Sequence, residues 1–515
     1  MTDKIRMGFE VTMDTNSSSK PNRPENTSNT PFHIAVLGDF SGRGSRSLHE
    51  PETIAKRRLI EVDRDNMEEV MAGLRIGLNL NMGDAGTIQL DIRGLDDFHP
   101  DELYENLETF GKLRSLRRRL KNTNSFSEAA AEIQGWKPVG ESPTARPADA
   151  GVTGEAINEA LVADAGNLLS NIIDVQQGSS DTSSAGVGQI DRLIRNIVAP
   201  YVEPAADPRQ DEMIASVDSA TETHMRDILH HADFQAMESA WRSLYFLVTR
   251  LETDSNLKMK ILDITKEELQ ADLAADDLSS SALYRRFCDP AEGDAPWSVL
   301  LGNFSFSDTI EDVLSLAAIG GIAQRAGAPF IAAATDTLAG CESLADTPDC
   351  EEWSHSGSEG FKRAWQMLRQ SSVAAYIGLA LPRFLLRLPY GRKSKPVESF
   401  AFEEMPEAPC HASYLWGNAA FVKVELLARN FIERGWAMKP GEEYQTEGLP
   451  VHYYREEGET VGKPVAEILL TEKCAEAMRR QGLTPLLSVK NMDAVRSADY
   501  RSVAENPQTI VGRWR

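Results

Sequence analysis

Residues 297–334 read WSVLLGNFSFSDTIEDVLSLAAIGGIAQRAGAPFIAAA. The apolar run WSVLLGNF predicts a buried strand, Glu311–Arg325 predicts a helix, and PFIAAA predicts a second strand. The unit repeats outward. Upstream, LKMKILDI (257–264) reads as a strand. Downstream come a helix over Gly360–Arg369 and a strand over Ala374–Leu381. Near the end, VAEILL (465–470), a helix from Glu472 and PLLSV (485–489) predict strand, helix, strand, with Gly482 near the helix C-cap. Met213–Leu251 is a long helical pattern, broken near HHADF (230–234). Alternating strands and helices imply a parallel or mixed sheet, so the fold class is α/β, with α+β mixing.

Further toward the N-terminus the pattern changes. PFHIAVLGDFSGRGSR (31–46) is an apolar strand followed by a loop. Its glycines invite a phosphate-cradle reading, but no Gly-Lys-Ser/Thr follows and G-x-G-x-x-G spacing is absent. A tight turn leaving the strand is the better use of them. Leu74, Ile76, Leu78, Leu80 and Met82 alternate, as do Ile88, Leu90 and Ile92, with GDAG between, so a β-hairpin is expected. LDDFHPDELYENLETFGKLRSLRRRLKN (95–122) then turns helical, with Pro100 in the first turn and Leu103, Leu107, Phe110, Leu113, Leu116 and Leu120 as one stripe. Arg117, Arg118, Arg119 and Lys121 match the negative end of that helix.

Two short elements sit apart from these regions. Ile5, Met7, Phe9, Val11 and Met13 alternate as in a half-buried strand, and a Ser/Asn/Pro-rich tether follows up to about residue 30. Such a strand folds back or pairs with the open edge of a neighbouring molecule. Residues 136–210 are linker-like and carry one amphipathic helix at about 155–175, with Leu168, Leu169, Ile172 and Ile173 as its apolar cluster. It suits a partner groove, or it packs back on a neighbouring domain. The organisation read here is a strand and tether (1–30), a first region (31–135), a linker with a helix (136–210) and a larger α/β domain (211–515).

Composition narrows the function. The 515 residues carry 54 Lys+Arg against 78 Asp+Glu, a net charge of −24. Nucleic acid is excluded as a general partner, because its binding needs a basic surface, and an electrostatic hold on anionic lipid is excluded likewise. No apolar run approaches the roughly 20 residues of a membrane helix. The five cysteines lack C-x-x-C spacing and read as free thiols in a reducing cytoplasm. No motif assembles the histidines, and Cys350 with His355 has no nucleophile signature. The expectation is a non-enzyme without cofactor or metal, with tethered elements suited to assembly. An enzyme on the α/β scaffold is the remote alternative.

The residues then suggest a family. IAVLGDFSGR, RRLIEVDRDNMEEVMAGL and the 95–120 helical stretch resemble the small sheath subunit (TssB) of bacterial type VI secretion systems. HADFQAMESAWRSLYFLVTR, LLGNFSF, APFIAAAT, LALPRFLLRLPYG and YLWGNAAF resemble the large sheath subunit (TssC). The resemblance covers about residues 31–490 and implies a fusion, small subunit first, the two interlocked as one protomer. It implies a structural part of the contractile sheath in the bacterial cytoplasm, on a membrane-attached apparatus. The implied partners are other sheath protomers, the Hcp inner tube, baseplate proteins and the ATPase ClpV. It assigns ClpV docking to Leu168, Leu169, Ile172 and Ile173, and strand exchange between protomers to Ile5, Met7, Phe9 and Val11. After LTPLLSVKNMDAV the family's large subunit continues further, so a truncated sheath domain is expected. A sheath-like accessory that caps, regulates or links the sheath to the baseplate is the alternative.

Overall fold

The computed structural model describes residues 30–134, 194 and 210–514, apart from 84–85, 123, 290–294, 355–356, 407–408, 498–499 and 507. The first region opens with β1 (Phe32–Gly38), then β2 (Ile60–Glu61) and α1 (Met67–Leu74). β3 (Ile76–Asn81) and β4 (Thr87–Ile92) follow, with α2 (Pro100–Asn106), α3 (Glu108–Lys121) and α4 (Phe126–Gln134) behind them. β3 and β4 pair antiparallel, as their alternation predicts, and β4 buries every second residue. Leu74 belongs to α1 rather than to the hairpin, because Arg75 turns the chain with φ 51°. The stripe on α2 and α3 is interrupted at Leu107, where extended backbone separates two helices.

The second region begins with α5 (Gln210–Leu229) and α6 (Ala232–Arg250), broken at His230 and His231 as the HHADF stretch suggested. His231 caps α6, its Nδ1 accepting from the Asp233 amide at 3.2 Å. Next come β5 (Leu257–Asp263), α7 (Lys266–Leu273), α8 (Ala282–Cys288), β6 (Trp297–Phe306), α9 (Ile310–Ala326) and β7 (Phe330–Ala334). They are followed by α10 (Asp336–Ala339), α11 (Glu359–Gln370), β8 (Ile377–Leu381), β9 (Phe384–Leu385), β10 (Trp416–Gly417) and α12 (Ala419–Arg434). The rest comprises β11 (Gln445–Thr446), β12 (Tyr453–Glu456), β13 (Glu459–Gly462), α13 (Glu472–Arg480), β14 (Leu483–Pro485), β15 (Leu487–Ser488) and β16 (Val495–Arg496).

Three expected strands differ. PLLSV is not one strand: β14 ends at Pro485, and Leu487–Ser488 form β15 in another sheet. Residues 372–376 are a 3-10 turn, so the strand predicted from Ala374 starts at Ile377. VAEILL forms no strand: Val465 and Ala466 fill one core and Ile468 the other, as a loop crossing the sheet's end. The five cysteines are free, as expected.

The main sheet has seven strands in the order β14-β8-β7-β6-β1-β5-β2. All neighbours are parallel except β2, which closes the edge antiparallel to β5. β1, from the first region, thus lies inside the second region's sheet. A parallel strand covered on both faces should be apolar throughout, and all seven residues of β1 are buried. Phe32, Ile34 and Val36 enter one core, with Phe110, Val217, Trp241 and Phe421 from α3, α5, α6 and α12. Ala35 and Leu37 enter the other, with Leu269, Leu283, Leu316 and Phe361 from α7, α8, α9 and α11. Each large apolar side chain so buried contributes roughly 2 kcal/mol.

Candidate functional site: the seam between the two regions

β1 registers with β5 from Phe32 opposite Leu257 to Gly38 opposite Asp263, and with β6 on its other side. Aromatic contacts pin both ends of the strand. The Phe32 ring lies 4.8 Å from Phe431 and 5.7 Å from Trp436. Phe40 meets Trp241 edge-on at 5.4 Å, and Trp241 Nε1 donates to the Phe40 carbonyl at 3.0 Å.

In the glycine loop after β1 the backbone amides turn toward a side chain of the chain itself. Asp39 accepts from the amides of Gly42, Arg43 and Gly44 at 2.8–2.9 Å, filling the cradle with a carboxylate of the chain itself. Gly42 has φ +79°, and a Cβ there would lie 2.1 Å from the Gly77 carbonyl oxygen, so the turn requires glycine. Asp263, at the end of β5, accepts from the Phe40 amide at 2.8 Å and the Ser41 hydroxyl at 2.7 Å. Burial and the nearby Asp39 charge push its carboxyl above the ordinary carboxylate value.

Beside this loop a buried ion cluster crosses the seam. Glu268 on α7 has no exposed side-chain surface. Arg57 contacts it at 2.6 Å and Arg43 at 2.9 Å, both from the first region. The amides of Glu50 and Thr265 donate to the same carboxylate, at 2.8 and 3.2 Å. Burial alone would raise the Glu268 carboxyl, but these two guanidiniums and two amides outweigh it and hold it far below the ordinary value.

On the other face, α2 and α3 lock against the second region. Tyr104 stacks on Phe400 at 4.5 Å, and Phe98 meets Phe234 at 5.5 Å. Asp101 accepts from the amides of Glu398 and Ser399 at 3.1 and 2.8 Å. His224 on α5 is buried 5.1 Å from Phe110, and burial lowers its imidazole to about 4. Of the basic helix end, Arg117 pairs with Asp218 on α5 and Arg119 with Glu132 at 2.7 Å, so two of those cations have partners.

Among the described residues no group of three or more His, Cys, Asp or Glu side chains could hold a metal, and no helix is long and apolar enough to cross a membrane. Ile5, Met7, Phe9, Val11, Leu168, Leu169, Ile172, Ile173 and His355 lie outside the described residues. Of the four tryptophans in apolar stretches, Trp241, Trp297 and Trp416 are buried and Trp365 is half-buried. The seam's charged residues carried a fainter signal. Thr265 and Glu268 fit the T-x-x-E capping box, and the structure forms that box, but the spacing gives no hint of the two arginines.

Fold and seam define an α/β protein in two parts, the first lending a central strand to the sheet of the second. Residues 211–503 match the family described as EvpB/VC_A0108, tail sheath N-terminal domain, and the chain belongs to that family. Residues 13–134 match the family described as Type VI secretion system, VipA, VC_A0107 or Hcp2. The chain is 34% identical to the type VI secretion system sheath protein TssC1 of Pseudomonas aeruginosa over 295 residues, 55% of this chain and 59% of that protein. It is 26% identical to the sheath protein TssB1 of the same organism over 105 residues, 19% of this chain and 59% of that protein. The chain thus spans 59% of the length of each of these relatives, and it joins in one polypeptide regions similar to two separate ones.

Proposed function

We propose that this chain is a protomer of a type VI secretion contractile sheath, with the two sheath regions fused. The observation that carries this reading is β1, seated between β5 and β6. It makes the first region an integral part of the second region's sheet, as an interlocked protomer requires. Copies assemble around the Hcp inner tube on a baseplate, in the cytoplasm and against a membrane-attached apparatus. The work of contraction comes from a collective change between two packings of one lattice, not from chemistry in the chain. Residues 1–14, through Ile5, Met7, Phe9 and Val11, stitch neighbouring protomers together. The cluster Leu168, Leu169, Ile172 and Ile173 is the handle for ClpV.

Electron microscopy of the purified chain, alone and with Hcp, tests the reading. Ordered tubes are expected, and deleting residues 1–14 should abolish them while the protomer stays folded. Discrete rings, or decoration only at the ends of other sheaths, would assign an accessory role instead. Leu169→Asp with Ile173→Asp should abolish ClpV binding; unchanged binding removes the handle from the scheme.

A further inference from the structure

A cavity of about 340 Å³ lies where the two regions meet, near the starts of β1 and β6. Its volume falls at the small end of the roughly 300–1,000 Å³ common for small-molecule sites. The first region contributes His33, Ala55 and Leu59, and the second contributes Lys260, Arg285 and Arg286. Ala282 and Trp297 add apolar wall, and Asp289 is the acid among the described lining residues. The described lining is therefore cationic in a chain of net charge −24.

Among the described residues two buried polar atoms in it have no hydrogen-bond partner, His33 Nε2 and Arg286 Nε. His33 is 8% exposed. Burial, reinforced by Lys260, holds the imidazole below its ordinary value and so neutral near pH 7. Nε2 of the ring donates or accepts according to tautomer, and in either form it needs a partner. Arg286 is fixed by its Nη2, which donates to the carbonyls of Ile54 and Ala55 at 3.2 and 3.1 Å, leaving Nε–H without an acceptor. Such buried unpaired groups are rare and point to a missing occupant.

One ligand chemistry answers both atoms. A phosphate monoester, with a second pKa of about 6, offers charged oxygens to the guanidinium and ammonium groups and either an acceptor oxygen or a P–OH to the imidazole, whichever tautomer it holds. A carboxylate carries a single charge and offers only acceptors. We propose that this pocket binds a small phosphate monoester, its oxygens held by Arg286, Lys260 and Arg285, the phosphate also hydrogen-bonded to His33 Nε2, and its apolar body against Leu59 and Ala282. Because the walls come from both regions, the ligand clamps the seam and stabilises the folded protomer by mass action.

The test uses the full chain at fixed ionic strength, with phenyl phosphate and inorganic phosphate as probes and acetate as control. Calorimetry and thermal melts should show saturable binding and a rise in Tm with phenyl phosphate, less with inorganic phosphate, and none with acetate. Lys260→Gln with Arg285→Gln should weaken binding at least about tenfold. Among the described residues neither side chain hydrogen-bonds the fold, so the Tm without ligand should not change. His33→Phe should also weaken binding. No saturable shift, an equal response to acetate, or unchanged binding in the Lys260/Arg285 variant overturns the proposal. The measurement is made on the protomer, so its outcome is separate from whether tubes form.

Discussion

Two buried charge clusters, one on the seam and one within the second region, are mirror images. On the seam, one carboxylate, Glu268, sits between Arg43 and Arg57. Inside the second region one guanidinium, Arg387, sits between two carboxylates with no exposed side-chain surface, Glu238 and Glu404, each at 2.8 Å. Arg242 adds a contact to Glu238 at 2.7 Å, and the Tyr390 amide donates to Glu404 at 2.7 Å. The Arg387 guanidinium also lies over the Tyr390 ring, 4.3 Å from its centroid. Both clusters give every charged oxygen a donor, which a buried ion needs to be tolerated at all. The join between the two regions is therefore finished to the standard of a domain interior. A transient contact would leave its charges on a wet rim.

The difference lies in which charge is in the minority, and that sets what breaks each cluster. Arg387→Met leaves Glu404 without its guanidinium and Glu238 with Arg242 alone, and should destabilise the chain by about 3–5 kcal/mol, read as a lower urea midpoint. If the midpoint hardly moves, the inner cluster is ornamental and the contrast collapses. Glu268→Gln leaves two arginines that retain some water contact, and should destabilise by about 2–3 kcal/mol. Because β1 is a central strand of the shared sheet, proteolysis should show both regions lost together, only faster. Release of the first region alone would mean that β1 is not integral to that sheet.

Acid should separate the two sites further. His224 is held at about 4 against an ordinary 6.5, so the folded chain keeps it neutral while the unfolded chain protonates it first. Its stabilising contribution is complete above pH 6.5 and is lost as pH falls toward 4, about 2 kcal/mol of it by around pH 5. For Glu404, burial pushes the carboxyl up, but the Arg387 charge and the hydrogen bonds it receives outweigh that and hold it at about 2 against an ordinary 4.5. Its contribution is complete above pH 4.5 and is lost only as pH falls toward 2. The α3–α5 face should thus weaken over a pH range in which the inner cluster is untouched. Urea midpoints measured across this range should lose part of their slope in His224→Leu, and an unchanged slope would assign the pH response elsewhere.

Much of the fold is legible in the sequence, because strands buried on both faces write themselves as apolar runs. β1, β5, β6 and β7 fall where the runs are, and the break between α5 and α6 is visible in HHADF. What the pattern cannot carry is partnership. Nothing in FHIAVLG says that its neighbours are LKMKILD and WSVLLGNFSF, because ladder bonds are made by backbone common to all residues. VAEILL misleads for a related reason: its apolar side chains serve two cores from a loop, which periodicity reads as a strand. The seam's ions were hidden because a charge looks the same on paper whether it meets water or a guanidinium. The resemblance to sheath subunits supplied the interlocking that local pattern could not.

The position of β1 also has a consequence for how the molecule comes into being. Ser41, just beyond the strand, bonds Asp263 across 222 residues, and His33 bonds Ser298 across 265. Synthesis runs from the N-terminus, so the strand made first waits longest for its ladder. During that interval it is an apolar segment with two open edges, the kind that pairs with whatever strand it meets. Contacts this distant in sequence also slow folding. Every nascent copy therefore passes through a stage in which its own β1 can join another copy's β5 and β6. A domain-swapped pair is the characteristic error of this architecture, and the speed with which the second region closes around its own strand decides how often it occurs.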